Sequence, residues 1–148
     1  MASDFEGTVT VREMHQGKFA QIVEAAGHVL IADEPKDVGG NNLGPRPYDY
    51  LAAALGACTS MTIRLYAEHK KLPLSDVSVA VRHERIHAED CEDCDIPPGT
   101  KIDRLTRVIT LKGALDAAQR AKLLEIADKC PVHKTLKGPI DIRTELTD

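Results

Sequence analysis

Two cysteine-bearing segments hold the side chains in this sequence that are best suited to redox chemistry. Cys58 lies in a mid-chain run of small residues, Gly-Ala-Cys-Thr, and Cys130 opens the run Cys-Pro-Val-His near the C-terminus. Proline suits the first position of a helix, so Cys130 is predicted to be an N-cap, where free N–H groups stabilise a thiolate. His133 supports that thiol or lies on the helix surface. If the two thiols meet, they form a reactive and a resolving thiol, which together can reduce a peroxide.

Composition and charge exclude several classes of function. The chain has 148 residues, which predicts a single domain covering residues 1–148. Its net charge is −4 without a strong basic cluster, so nucleic acid is not an expected partner. The N-terminus lacks the pattern of a secretory signal, and the longest apolar stretch is far shorter than the ~20 residues that span a bilayer. We therefore expect a cytoplasmic protein without a membrane partner, in which four cysteines suggest catalysis or metal binding.

Hydrophobic periodicity and turn residues predict an α+β fold in the order β-β-β-α-β-β-α-α-β. The predicted strands cover residues 5–12, 19–23, 28–31, 77–86, 102–111 and 140–146. The predicted helices cover residues 47–71, 116–129 and a short segment after Cys130. The breaker-rich residues 33–47 form a loop before the first helix.

The long helix over residues 47–71 is expected to be central. Its predicted buried stripe consists of Leu51, Leu55, Cys58, Thr62, Leu65 and Tyr66. Small residues between positions 52 and 57 leave one flank nearly bare, which favours close packing against a second backbone, such as a two-fold partner helix.

The two cysteine segments resemble the signature segments of the OsmC/Ohr family. The first is GPRPYDYLAAALGACTSMT at residues 44–62, and the second is CPVHKTL at residues 130–136. Between them, residues 83–94 and 102–104 resemble an OsmC-like branch also found fused behind α/β-hydrolase domains. The resemblance implies an OsmC-like α+β fold that forms an intertwined homodimer, with long central helices packed together and active sites at the dimer interface.

The same resemblance implies a thiol-dependent peroxidase that reduces small organic hydroperoxides in oxidative-stress defence and requires no cofactor. Cys58 matches the peroxidatic cysteine and Cys130 the resolving one, and an unknown dithiol would reduce their disulfide. The family activates its thiol with an arginine held by an acidic residue. Asp49 matches the acid, with Arg46 favoured over Arg12 as the arginine. Because Asp49 lies about half a turn around the helix from Cys58, it would act through an intermediary or from the other protomer, or serve only as a first-turn acid.

Cys91 and Cys94 form a C-x-x-C motif in an acidic segment. Three interpretations remain open: two solvent-facing thiols without a function, a zinc site completed by His87 and His83, or a redox pair that relays electrons to a Cys58–Cys130 disulfide. The alternative to a peroxidase is accordingly an OsmC-like binding or zinc-holding module.

Overall fold

The computed structural model describes residues 7–92 and 94–147 and divides the chain into two compact units, residues 1–51 and 52–148. The prediction of one domain over residues 1–148 stays a prediction. In the described part of the chain the elements follow the order β-β-β-α-β-β-α-α, with two short 3-10 turns in the loops. None of the described helices is long and apolar enough to cross a membrane.

The first unit is built on a three-stranded antiparallel sheet in the order β1-β2-β3. The strands are β1 (Val9–Glu13), β2 (Gln21–Ala25) and β3 (His28–Ala32). Ala26 and Gly27 join β2 to β3, and both have positive φ angles of 50° and 81°. Two such residues match the right-handed twist of a hairpin, so this turn is fixed locally. The predicted first strand began at Phe5, which lies outside the described residues.

A buried carboxylate organises the loop between β3 and the first helix. Asp33 accepts backbone N–H groups from Glu34, Asn41 and Leu43 at 2.8–3.2 Å. Burial opposes the charge of Asp33, but the three hydrogen bonds outweigh it and lower the pKa of that carboxyl below its ordinary value.

The long helix α1 (Pro47–His69) buries Leu55, Gly56, Thr59, Ile63 and Ala67. The predicted stripe was right for Leu55, which is buried, and for Tyr66, which packs against the core. It was wrong for Leu51 and Leu65, which are exposed, and Cys58 is only half-buried. Apolar and small residues cover more than one flank of α1, so residue type did not single out the buried face. A Cβ at Gly56 would lie 3.2 Å from Val81 Cγ2, so the glycine lets a strand approach closely.

The second unit packs α1 and a further helix against a long hairpin of β4 (Leu74–His87) and β5 (Lys101–Gly113). Ile63 of α1 and Leu123 of α2 (Ala117–Ala127) lie at the centre of the core. The side chains of β4 and β5 that pack against this core are Val77, Ile109 and Leu111. A capping box between Asp116 and Gln119 starts α2, and α3 (Pro131–Lys137) follows it after a short turn.

The prediction of a strand over residues 140–146 was wrong for the single chain, in which these residues form no strand. A strand needs a neighbouring strand to pair its N–H and C=O groups, and this segment has no ladder partner among the described residues. Ile142 and Leu146 are accordingly 84% and 97% exposed.

Candidate active site

The second unit brings together the two cysteines that are far apart in sequence. Cys58, in the middle of α1, shares a hydrogen bond with Cys130, which lies in the turn between α2 and α3. Both are free cysteines. Cys130 is completely buried and Cys58 only half-buried, so solvent and small molecules reach the pair from the side of Cys58.

Cys130 is the N-cap of α3, which confirms the cap prediction. Its Sγ accepts the backbone N–H of His133 at 3.4 Å, with proline at the first helical position. Burial raises the pKa of the Cys130 thiol, but hydrogen bonds from Cys58 and from the backbone of His133 and Val132, together with the nearby Thr59 side chain, outweigh it, so the pKa is lowered. A lowered pKa is typical of a reactive thiol.

A buried arginine lies beside this pair, and it is not one of the two arginines that sequence analysis selected. Arg107 Nη1 donates to Thr59 Oγ1 and to the carbonyl of Ala127, both at 3.0 Å. Its Nη2 donates to Asp128 Oδ1 and to His133 Nδ1, both at 2.8 Å. The Arg107 side chain is only 12% exposed.

The alternation of side chains along β5 could have indicated that Arg107 faces the core. Leu105, Arg107, Ile109 and Leu111 occupy alternate positions, which point to the same side of a strand. An arginine in the middle of such an apolar series is a charged residue directed at the core, and a buried charge needs partners. The prediction grouped the apolar residues of this strand without separating its two faces, so Arg107 was missed.

His133 belongs to the same cluster and is not a helix-surface residue. Its side chain is 25% exposed, and its Nδ1 lies 2.8 Å from Arg107 Nη2. A guanidinium group only donates hydrogen bonds, so Nδ1 of His133 must be the acceptor and the proton must be on Nε2.

The predicted arginine–acid pair forms within the first unit. Arg46 Nε lies 3.3 Å from Asp49 Oδ2, and the Arg46 backbone N–H also donates to this carboxylate. The backbone bond and then the side-chain bond from Arg46 lower the pKa of Asp49. Arg12 forms a separate ion pair with Glu24 on the neighbouring strand, at 3.8 Å. The roles of Arg46 and Asp49 toward Cys58 stay predictions.

Cys91 and Cys94 are joined by a disulfide, with their Cα atoms 5.4 Å apart. Sulfurs bonded to each other do not act as zinc thiolates, so the zinc site with Cys91, Cys94 and His87 does not exist in this oxidised form. Within residues 7–92 and 94–147, no group of three metal-ligating side chains is arranged to hold an ion. Zinc binding stays a prediction for the reduced segment, and the disulfide favours the interpretation as a redox pair.

A cleft of about 180 Å³ opens beside the cysteine cluster. Its apolar lining consists of Leu55, Leu105 and Leu136, and its polar lining of Asp103, Arg107, His133 and Lys137. Arg107 and His133 connect this cleft to the cluster, because they bind Thr59 and Cys130. The cleft is therefore suited to a small molecule with an apolar body and a polar end.

Comparisons with known proteins found a matching family model and similar solved structures. A family model described as OsmC-like protein matches residues 39–145. Similar solved structures include an organic hydroperoxide resistance protein OsmC from Legionella pneumophila, with 19% identity, a TM-score of 0.65 and 92% of each chain covered. Another is the organic hydroperoxide resistance protein OhrB of Bacillus subtilis, with 22% identity, a TM-score of 0.62, and 97% and 98% of the two chains covered.

An OsmC like protein from Mycoplasma pneumoniae is similar in the same way, with 18% identity and a TM-score of 0.68 over 91% of this chain and 89% of that one. No curated protein sequence matches the chain. At these identities the structural likenesses establish the fold, and they confirm the predicted OsmC-like α+β architecture.

Proposed function

Since the chain belongs to the OsmC-like protein family, we propose that it is a thiol peroxidase that reduces organic hydroperoxides in defence against oxidative stress. The observation that carries this proposal is the hydrogen bond between Cys58 and Cys130. Two free thiols from distant parts of the chain, one half-buried and one fully buried, lie in hydrogen-bonding contact and can serve as a peroxidatic and a resolving cysteine.

The exposure of the two thiols supports the proposed roles, with Cys58 as the peroxidatic and Cys130 as the resolving cysteine. The Cys58 thiolate attacks the terminal oxygen of the hydroperoxide; an S–O bond forms, the O–O bond breaks, and the leaving alkoxide takes up a proton to become an alcohol. The Cys130 thiolate then attacks the sulfur of the Cys58 sulfenic acid; an S–S bond forms, and hydroxide leaves and is protonated to water. The two thiols together supply the two electrons that the peroxide accepts.

The lowered pKa of Cys130 has a place in this scheme. Cys130 accepts the hydrogen bond of the Cys58 thiol, and its lowered pKa favours the Cys130 thiolate, which is the nucleophile of the second step.

The leucine-lined cleft beside the cluster supports an apolar hydroperoxide as the substrate. The Legionella and Bacillus proteins are named organic hydroperoxide resistance proteins, which supports the same substrate class. An external dithiol then reduces the Cys58–Cys130 disulfide by thiol–disulfide exchange, so the chemistry requires no bound cofactor.

The peroxidase is proposed to act as a homodimer. Met61 and Leu65 on α1 are each 70% exposed and lie one turn apart, on the same side of the helix. Ile142 and Leu146 are also exposed, in a segment that pairs with no strand among residues 7–92 and 94–147. A second copy of the chain would cover both surfaces and give the predicted last strand a neighbour.

The proposal is tested by mass spectrometry of the reduced protein before and after one equivalent of cumene hydroperoxide. Replacing Cys91 and Cys94 with serine first removes the other disulfide from the measurement. We expect a loss of about two mass units, mapped to a Cys58–Cys130 link. Cys58→Ser should abolish turnover, and Cys130→Ser should undergo one oxidation and then accumulate over-oxidised forms.

Unchanged turnover in Cys58→Ser would contradict the proposal. An unchanged mass in the reduced protein would also contradict it, and would favour the binding-module alternative.

A further inference from the structure

Arg107 connects all the segments that carry the two cysteines. Thr59, which accepts from Nη1, is the neighbour of Cys58 in α1. The carbonyl of Ala127 accepts from Nη1, and the carboxylate of Asp128 accepts from Nη2. These two residues lie at the end of α2, immediately before the turn that carries Cys130. His133, which accepts from Nη2, also donates its backbone N–H to the sulfur of Cys130.

We propose that Arg107 is a positioning residue that holds Cys130 against Cys58 for disulfide closure. This inference rests on the proposed function and adds to it a residue that controls the second chemical step. Arg107 is not a reactant in that step. It fixes the relative positions of α1 and the turn between α2 and α3, because the same guanidinium binds both.

An arginine is the side chain that can meet this demand. Its planar group offers five N–H donors in a fixed arrangement and keeps its charge at all ordinary pH values. The Asp128 carboxylate and the carbonyl end of α2 balance that charge, and His133 Nδ1 accepts a further N–H. A lysine in the same place would supply the charge but not the fixed geometry.

Disulfide closure is the step that depends most on this geometry. The Cys130 sulfur must approach the Cys58 sulfenic sulfur opposite the departing oxygen, and misplacement by about 1 Å can slow such a reaction by about 100-fold. Oxidation of Cys58 by an incoming peroxide needs no approach by Cys130. If closure is slow, a second peroxide converts the sulfenic acid to the sulfinic acid, which leaves the cycle. Arg107 therefore protects the enzyme against over-oxidation.

The experiment measures the two steps separately in full-length protein in which Cys91 and Cys94 are serine. After rapid mixing with one equivalent of cumene hydroperoxide, mass spectrometry follows the appearance of the sulfenic acid, trapped with dimedone, and of the disulfide. A parallel sample with excess hydroperoxide measures the sulfinic acid. The variants are Arg107→Gln, Arg107→Lys and Asp128→Asn. The matched control is Arg120→Gln, because Arg120 also connects α2 to a backbone carbonyl of β5, that of Leu111, but lies outside the cysteine cluster.

For Arg107→Gln we expect disulfide closure to slow by about tenfold or more relative to the oxidation of Cys58, with sulfinic acid accumulating in excess hydroperoxide. Arg107→Lys should restore part of the closure rate. Asp128→Asn should slow closure in the same direction, and it changes a side chain that is 68% exposed, so it tests the inference even if Arg107→Gln fails to fold. Arg120→Gln should leave both rates unchanged.

Closure at the wild-type rate in folded Arg107→Gln, or in Asp128→Asn, would overturn the inference, even if the melting temperature falls. Equal slowing of both steps would also overturn it, since that indicates a general distortion. Absence of a Cys58–Cys130 disulfide in the wild type would instead contradict the proposed function, so the two failures are distinguishable.

Discussion

Replacing Thr59 with valine tests whether a single buried hydroxyl organises the thiol pair. Thr59 Oγ1 is completely buried, donates to the carbonyl of Leu55 at 2.7 Å and accepts from Arg107 at 3.0 Å. Valine has a similar shape but offers no acceptor, so one guanidinium N–H loses its partner. A hydrogen bond to a charged group contributes about 1.5–3 kcal/mol. We expect the free energy of unfolding to fall by about 2 kcal/mol, which lowers the melting temperature by roughly 4–8 °C in a chain of this size.

The same substitution should change the titration of the thiols. Thr59 is one of the groups that lower the pKa of Cys130, so Thr59→Val should shift the formation of the thiolate to higher pH. Thermal unfolding measures the first effect. The second is measured by the ultraviolet absorbance of the thiolate as a function of pH, with Cys91 and Cys94 replaced by serine.

Thr62→Val is the matched control, because it removes a hydroxyl from the same helix. Thr62 Oγ1 donates to the carbonyl of Cys58 at 2.7 Å, just as Thr59 Oγ1 donates to the carbonyl of Leu55. The two threonines differ in that Thr59 also accepts a hydrogen bond from Arg107. Its loss should cost less than about 1 kcal/mol and leave the thiol titration unchanged. If the two variants lose equal stability and titrate alike, the reasoning about Thr59 is refuted.

Three further predictions concern the core, the first unit and the dimer. Leu123→Ala empties a completely buried position and should lower the free energy of unfolding by about 2–5 kcal/mol in urea titrations; a loss below about 1 kcal/mol would show that the core collapses around it. The pKa of Asp33 is lowered in the folded state, so its charge stabilises the protein above the unfolded pKa of about 3.9, and this contribution is lost as pH falls through the folded value. The stability difference between wild type and Asp33→Asn should therefore shrink below about pH 4, and a constant difference would contradict the assignment. Met61→Asp places a charge on the exposed face of α1 and should shift the mass measured by light scattering from dimer to monomer; a wild type that is already monomeric would contradict the dimer proposal.

Local sequence rules predicted much of the secondary structure and one part of the candidate site. Proline after Cys130 predicted the N-cap, and the structure has it there, because capping depends only on residues within one helical turn. Asp116 marked the start of α2, and Ala26-Gly27 marked the hairpin between β2 and β3, for the same local reason. The resemblance of the two cysteine segments to the OsmC/Ohr family supplied the fold that these elements build.

Tertiary structure decided the features that depend on residues far apart in the chain. Only the packing of α1 on the hairpin selected the face with Thr59 and Gly56, since the small and apolar residues of α1 fit more than one face. The importance of Arg107 came from its partners, which the fold gathers from α1, α2 and α3. The segment 140–146 has the alternation of a strand but no neighbouring strand within the described part of the chain. The periodicity of a sequence predicts which side chains share one face of an element. Burial, charge pairing and strand formation also depend on the element that packs against that face, and the local sequence does not specify that element.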